Sequence, residues 1–153
     1  MVPIEKLSCK QLEEKILEVS RSHKKYFYLG YTETVSSYLQ STGPKSEEWR
    51  ELKKLFLKET VHYSQVTARH LVRFSEQRLI DQYRKRLKCL NESPQGKHRP
   101  GVVYVVVYTL NRAAQQRGAM WGGGAARVVQ DPWKNDLLLQ IKEIKEMYQD
   151  RAI

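Results

Sequence analysis

Val102-Val103-Tyr104-Val105-Val106-Val107-Tyr108-Thr109-Leu110 is the stretch on which the fold turns. Its first seven residues form the longest apolar run in the chain. Valine and tyrosine in such density favour a strand, and a strand without a polar face must be covered on both sides. A strand also needs partners, and the only other strand-like stretches are residues 26–31 and 126–129. The same run also reads as a buried helix. Pro100 then stands near its start, residues 111–117 extend it, and Gly118 caps it. Because the remaining patterning is mostly helical, we expect a fully buried central helix within a mainly α fold. The alternative is an α+β fold with a small sheet using 102–109.

Upstream, Ser93-Pro94-Gln95-Gly96-Lys97-His98-Arg99-Pro100-Gly101 is the clearest loop in the chain. Before it, residues 47–93 contain neither glycine nor proline. One straight helix over them would be roughly 70 Å long, against a radius of gyration of about 15 Å for a compact domain of this size. The weak helix formers at 60–67 are the natural break, so two helices are expected there. Ser46 is placed to cap the first of them, with Glu47 and Glu48 in its opening turn. Nearer the N-terminus, Ser8 and Gln11 have capping-box spacing, and Leu12, Ile16 and Val19 share one helical face. A short helix is expected over 31–40, ended by Gly43-Pro44.

Downstream, residues 118–126 hold Gly118, Gly122, Gly123 and Gly124 and read as a flexible insert within a single helical domain over 1–153. Asp131-Pro132 opens a last helix, with Trp133, Leu137, Ile141, Ile144 and Tyr148 on one face. Trp49, Phe56, Tyr104, Leu137, Ile141 and Ile144 are expected to share one core.

The chain has 153 residues, with 27 Lys plus Arg against 17 Asp plus Glu, a formal net charge of +10. Its 41% hydrophobic and 29% charged content exclude a wholly disordered chain. No apolar run approaches the ~18 residues of a membrane-spanning helix, so no membrane partner is expected. The N-terminus lacks the apolar core of a secretory signal, and Cys9 and Cys89 read as reduced thiols of an intracellular protein.

Cys9, Cys89, His23, His62, His70 and His98 include no Cys-x-x-Cys and no histidines at i, i+4, so no metal is expected. Lys88 and Arg86 could lower the pKa of Cys89, yet a lone cysteine between Leu87 and Leu90 reads as packing. Gly122-Gly123-Gly124 and Gly96-Lys97 are fragments of nucleotide-binding loops without the remaining positions, so no cofactor is expected either. Asp81, Asp131 and Asp136 fit helix surfaces and caps. The reading is a non-enzyme. An enzyme would need distant residues such as His62, His70 and an acid to converge in an open cleft.

Charge placement is the positive signal. Between 78 and 127 lie Arg78, Arg84, Lys85, Arg86, Lys88, Lys97, Arg99, Arg112, Arg117 and Arg127 against only Asp81 and Glu92. Such asymmetry is the footprint of phosphate-backbone binding, so these ten residues are the expected contact surface for RNA or DNA within a larger assembly. Arg84-Lys85-Arg86-Leu87-Lys88 also fits a nuclear import signal, which places the chain in the nucleus rather than the cytoplasm. The alternative is an adaptor that docks an acidic protein through the same face and the last helix. Lys24-Lys25-Tyr26-Phe27-Tyr28 could stack bases, but core anchoring with the lysines in water is the simpler reading.

Gly101-Val102-Val103-Tyr104-Val105-Val106-Val107-Tyr108-Thr109-Leu110-Asn111, followed by Arg127-Val128-Val129-Gln130-Asp131-Pro132-Trp133, resembles a helical region of the SNAP43 family, a subunit of the small nuclear RNA-activating complex. There too a tyrosine-rich apolar helix precedes an arginine–valine and an aspartate–tryptophan pair. The resemblance implies a non-enzymatic, nuclear, helical assembly subunit.

Overall fold

A computed structural model describes residues 2–35, 37–50, 52–111 and 132–151. The fold is α+β, not mainly α. Its elements are β1 (Ile4–Lys6), α1 (Cys9–Arg21), β2 (Lys25–Thr32), β3 (Phe56–Val66), α2 (Glu76–Tyr83), β4 (Gly101–Leu110) and α3 (Pro132–Arg151). The strands form one sheet in the order β1-β3-β4-β2, with β1 parallel to β3 and the other pairs antiparallel.

The valine run is therefore a strand, one of the two inner ones. Val103, Val105 and Val107 enter one core with Leu12, Ile16 and Val19 of α1 and Leu79, Ile80 and Tyr83 of α2. Tyr104, Val106 and Tyr108 enter a second core with Trp49, Phe56, Leu137, Ile141 and Ile144. The six residues expected to share a core do so, on this second face. Each fully buried valine of β4 contributes about 1.5–3 kcal/mol from removal of apolar surface from water. The partner for β4 that sequence suggested, the stretch around Tyr26–Tyr31, pairs with it along the whole of β2. Gly30 stands opposite Tyr104, whose ring occupies the space a side chain there would need.

Of the two helices expected over 47–93, only α2 is present. Glu47–Trp49 and Leu52–Leu55 are 3-10 turns, β3 follows, and Ala68–Val72 is a further 3-10 turn before α2. The β-branched residues read as a helix break lie largely inside β3. One register shift between Lys58 and Thr60 leaves Glu59 as an extra residue. That bulge lets Phe56 and Val61, five positions apart, enter the same core. Ser46 makes no side-chain cap. The short helix expected over 31–40 is the end of β2 followed by a 3-10 turn, Ser37–Gln40.

Both terminal helices agree with their sequence signals. The Ser8–Gln11 capping box is formed, with the Gln11 amide donating to Ser8 Oγ at 3.1 Å and the Ser8 amide to Gln11 Oε1 at 3.0 Å. Pro132 opens α3. Residues 118–126 and Asp131 lie outside the described residues.

The sheet's β2 edge is covered by the chain after α2. The Phe27 amide donates to the Lys88 carbonyl at 3.0 Å, and the Leu90 amide donates to the Phe27 carbonyl at 2.7 Å. The side chain of Asn91 continues the pattern. Its Oδ1 accepts from the Leu29 amide and its Nδ2 donates to the Leu29 carbonyl, both at 2.7 Å. Residues 88–91 thus satisfy backbone groups that an open edge would leave unpaired.

Candidate nucleic-acid interface

The structure divides the ten predicted contact bases into four groups. Arg84 is 9% exposed and cannot reach a ligand. Lys85, Arg86 and Lys88 gather past the C-terminal end of α2. Arg78, Lys97 and Arg99 gather at its N-terminal end, where the Gln77 amide donates to the Lys97 carbonyl. Arg112, Arg117 and Arg127 lie outside the described residues.

Each end recruits bases that the sequence window left out. At the C-terminal end, Arg86 donates to Ser20 Oγ and Lys88 Nζ to the Ser22 carbonyl, which brings in the exposed Arg21 and Lys24 of α1 and its following turn. The Arg86 guanidinium lies 5.4 Å from the Tyr83 ring centroid. At the N-terminal end, exposed Arg69 and Arg73 join, while Arg78 Nε donates to the Leu71 carbonyl at 3.1 Å. Arg99 rests over Tyr31 and pairs with Glu33 at 3.2 Å. The eight residues of α2 separate the two ends by about 12 Å.

Arg84 has a structural task instead. Its Nε and Nη2 donate to the Glu92 carbonyl, and Nη2 also donates to the Lys145 carbonyl at 2.8 Å. Lys145, 7% exposed, returns the contact by donating to the carbonyls of Arg84 at 2.5 Å and Arg86 at 2.6 Å. The two cations thereby clasp α3 to the turn after α2. Burial pulls the Lys145 ammonium down to about 8.

The Glu92 carboxyl beside this clasp is pushed up to about 7 by burial, with the nearby Glu48 adding to the rise and a hydrogen bond from Ser46 opposing it. A raised carboxyl pKa favours the native state when protonated. Its contribution is fully present below about 4.5 and is lost as pH rises through about 7. Wild-type stability should fall over that window by up to roughly 3 kcal/mol from this group. Glu92→Gln keeps an acceptor for Ser46 and should remove that part of the slope. Urea unfolding of both proteins at about pH 5 and about pH 8 measures it, and equal slopes would contradict the assignment.

A hydroxyl–imidazole–carboxylate series is present at the other sheet edge. Thr60 Oγ1 lies 3.0 Å from His62 Nε2, and His62 Nδ1 lies 3.0 Å from Glu5 Oε1. Its origin is local. Thr60 and His62 are neighbours on one strand face, and Glu5 stands opposite His62 in the β1–β3 register. The Glu5 side chain is 59% exposed, whereas a nucleophilic relay holds its carboxylate buried behind the imidazole. The series ties β1 to β3. His70 bonds Thr67 in its own turn and does not join it.

Cys89 is fully buried, and burial pushes its thiol up, against the lowering that neighbouring bases could cause. Tyr26 and Phe27 enter opposite cores, which settles their stretch as a core anchor. No group of three or more His, Cys, Asp or Glu is arranged to hold a metal ion among the described residues. No described helix is long and apolar enough to cross a membrane.

Fold and surface together define an α+β module: a mixed four-stranded sheet covered on both faces, with basic groups at both ends of one helix. No family model, curated protein or solved structure matches the chain. The tyrosine-rich helix implied by the SNAP43 resemblance is the strand β4, and residues 127–131 of that pattern lie outside the described residues.

Proposed function

We propose that this chain is a non-enzymatic binding module for nucleic acid, acting within a larger assembly. The supporting observation is the convergence of exposed bases from separate stretches on the two ends of α2: Arg21, Lys85 and Arg86 at one, Arg73, Arg78, Lys97 and Arg99 at the other. One strand of duplex DNA offers a phosphate about every 3.4 Å, so the helix between the ends spans about three to four phosphates. A single backbone can therefore engage both. A nuclear setting suits such a partner, with Lys85 and Arg86 as the exposed part of the import-signal pattern and Lys88 half-buried beside them.

Val72 supports a second reading. It is 74% exposed between Arg69 and Arg73, the apolar centre and charged rim of a surface for an acidic protein.

Salt titrations separate the two. Binding to duplex DNA should weaken with a log–log slope near −0.9 per phosphate neutralised. Lys85→Gln with Arg86→Gln, and separately Lys97→Gln with Arg99→Gln, should each flatten the slope by roughly 2 while leaving stability nearly unchanged. Affinities weaker than about 10⁻⁴ M for duplex DNA, single-stranded DNA and structured RNA at physiological salt would hand the surface to an acidic protein.

A further inference from the structure

Across the sheet from α2 lies a cavity of about 450 Å³ that the nucleic-acid reading does not use. It falls in the roughly 300–1,000 Å³ range of small-molecule sites. Trp49, Phe56 and Tyr108 line its apolar part, and Lys53, Lys54 and Lys58 also line it. No described carboxylate does. The rings are held edge to face, Phe56 against Trp49 at 5.9 Å and against Tyr108 at 6.1 Å. Gly43, at φ +144°, brings the backbone so close that a Cβ would overlap the Tyr108 hydroxyl. The cavity wall is therefore shaped by the backbone as well as by side chains.

The lysine arrangement points to a ligand. Lys58 Nζ donates to the carbonyls of Gln40 and Thr42, which fixes the ammonium at the wall and commits two of its three N–H groups. The fold thus leaves one Lys58 N–H uncommitted in a lining that carries three cations and no described acid. Several cations around one small space match a doubly charged phosphate better than a singly charged carboxylate. The aromatic lining offers edge-to-face contact to a flat ring.

We infer that this cavity binds a small phosphomonoester with a flat aromatic body, of the nucleoside monophosphate class, its phosphate held by Lys53, Lys54 and Lys58 and its ring packed against Trp49, Phe56 and Tyr108. This site is independent of the polymer surface at α2.

Calorimetric titration of the full chain with adenosine monophosphate, adenosine and inorganic phosphate tests it. The nucleotide should bind, with each half-ligand at least about tenfold weaker, since either loses one set of contacts. Lys53→Gln with Lys54→Gln should weaken the nucleotide by about tenfold while leaving adenosine unchanged. Both lysines are exposed, so this variant should fold, and a thermal melt checks it. Absence of nucleotide binding at millimolar concentration would overturn the assignment. So would adenosine or phosphate binding as tightly as the nucleotide, or an unchanged affinity in the folded double variant. DNA binding lost in Lys85→Gln with Arg86→Gln, but kept in Lys53→Gln with Lys54→Gln, would mark the two sites as separate.

Discussion

Arg84→Ala is expected to cost about 3–5 kcal/mol, a large effect for a single basic residue. The substitution removes charge-assisted bonds to the carbonyls of Glu92 and Lys145 and leaves those acceptors buried. It also loosens the turn whose own carbonyls hold the Lys145 ammonium. Against a total stability of about 5–15 kcal/mol, that is a large share. Lys85→Ala, one position further and exposed, should stay within about 0.5 kcal/mol of wild type. Denaturant unfolding of the two variants reads the contrast. If Arg84→Ala instead unfolds like wild type and loses affinity for DNA, Arg84 belongs to the binding surface and the clasp is wrong.

Asn91→Leu should cost about 2–4 kcal/mol, because both the amide and the carbonyl of Leu29 lose their partners inside the protein. Leucine is close in size, so the loss is one of hydrogen bonding rather than of volume. Hydrogen exchange gives a local readout. The Leu29 amide should become accessible through a smaller opening than the amides of β4, whereas in wild type the β2 edge opens with the sheet. Undiminished protection at Leu29 in the variant would show that Asn91 does not close the edge. A variant with this edge uncovered should also self-associate more readily.

How far the sequence reveals this fold differs by element. The starts of α1 and α3 are legible because capping chemistry is local. Ser8 and Gln11 satisfy each other, and Pro132 opens a helix, whatever the rest of the chain does. β4 is ambiguous for a physical reason. Its two faces enter two different apolar cores, so the alternation that marks a half-buried strand disappears, and a run of nine residues suits either state. Trp49, Leu52 and Phe56 mimic a helical face because they all reach the second core from two 3-10 turns and the start of a strand. That coincidence of spacing is invisible without the sheet.

The interface is half legible for the same kind of reason. A count of bases along the chain finds the charge but not its direction, so Arg84 looks like its neighbours Lys85 and Arg86 although its carbonyl partners turn it inward. Arg21, Arg69 and Arg73 lie outside the charged window and join the surface only through chain reversal. Lys53, Lys54 and Lys58 carry no signal of their own in sequence, since lysines among apolar residues are the ordinary dress of a helix surface. Only the sheet brings Tyr108 beneath them.

The strand order has a consequence for how this chain is made. Among the described residues β4 is the last strand synthesised, yet it lies between β3 and β2, which do not pair with each other. Until residue 110 has left the ribosome, the nascent chain has β1, β2 and β3 but not the strand that joins β2 to the other two, and α1 has no complete sheet to cover. At about 5–20 residues per second, the interval from the end of β3 to the end of β4 is roughly two to nine seconds. Through that interval Phe27, Leu29 and Val61 stay exposed, which makes the emerging polypeptide a client for chaperones that hold apolar strands apart. A ribosome stalled before Gly101 would release a product with no route to the native sheet.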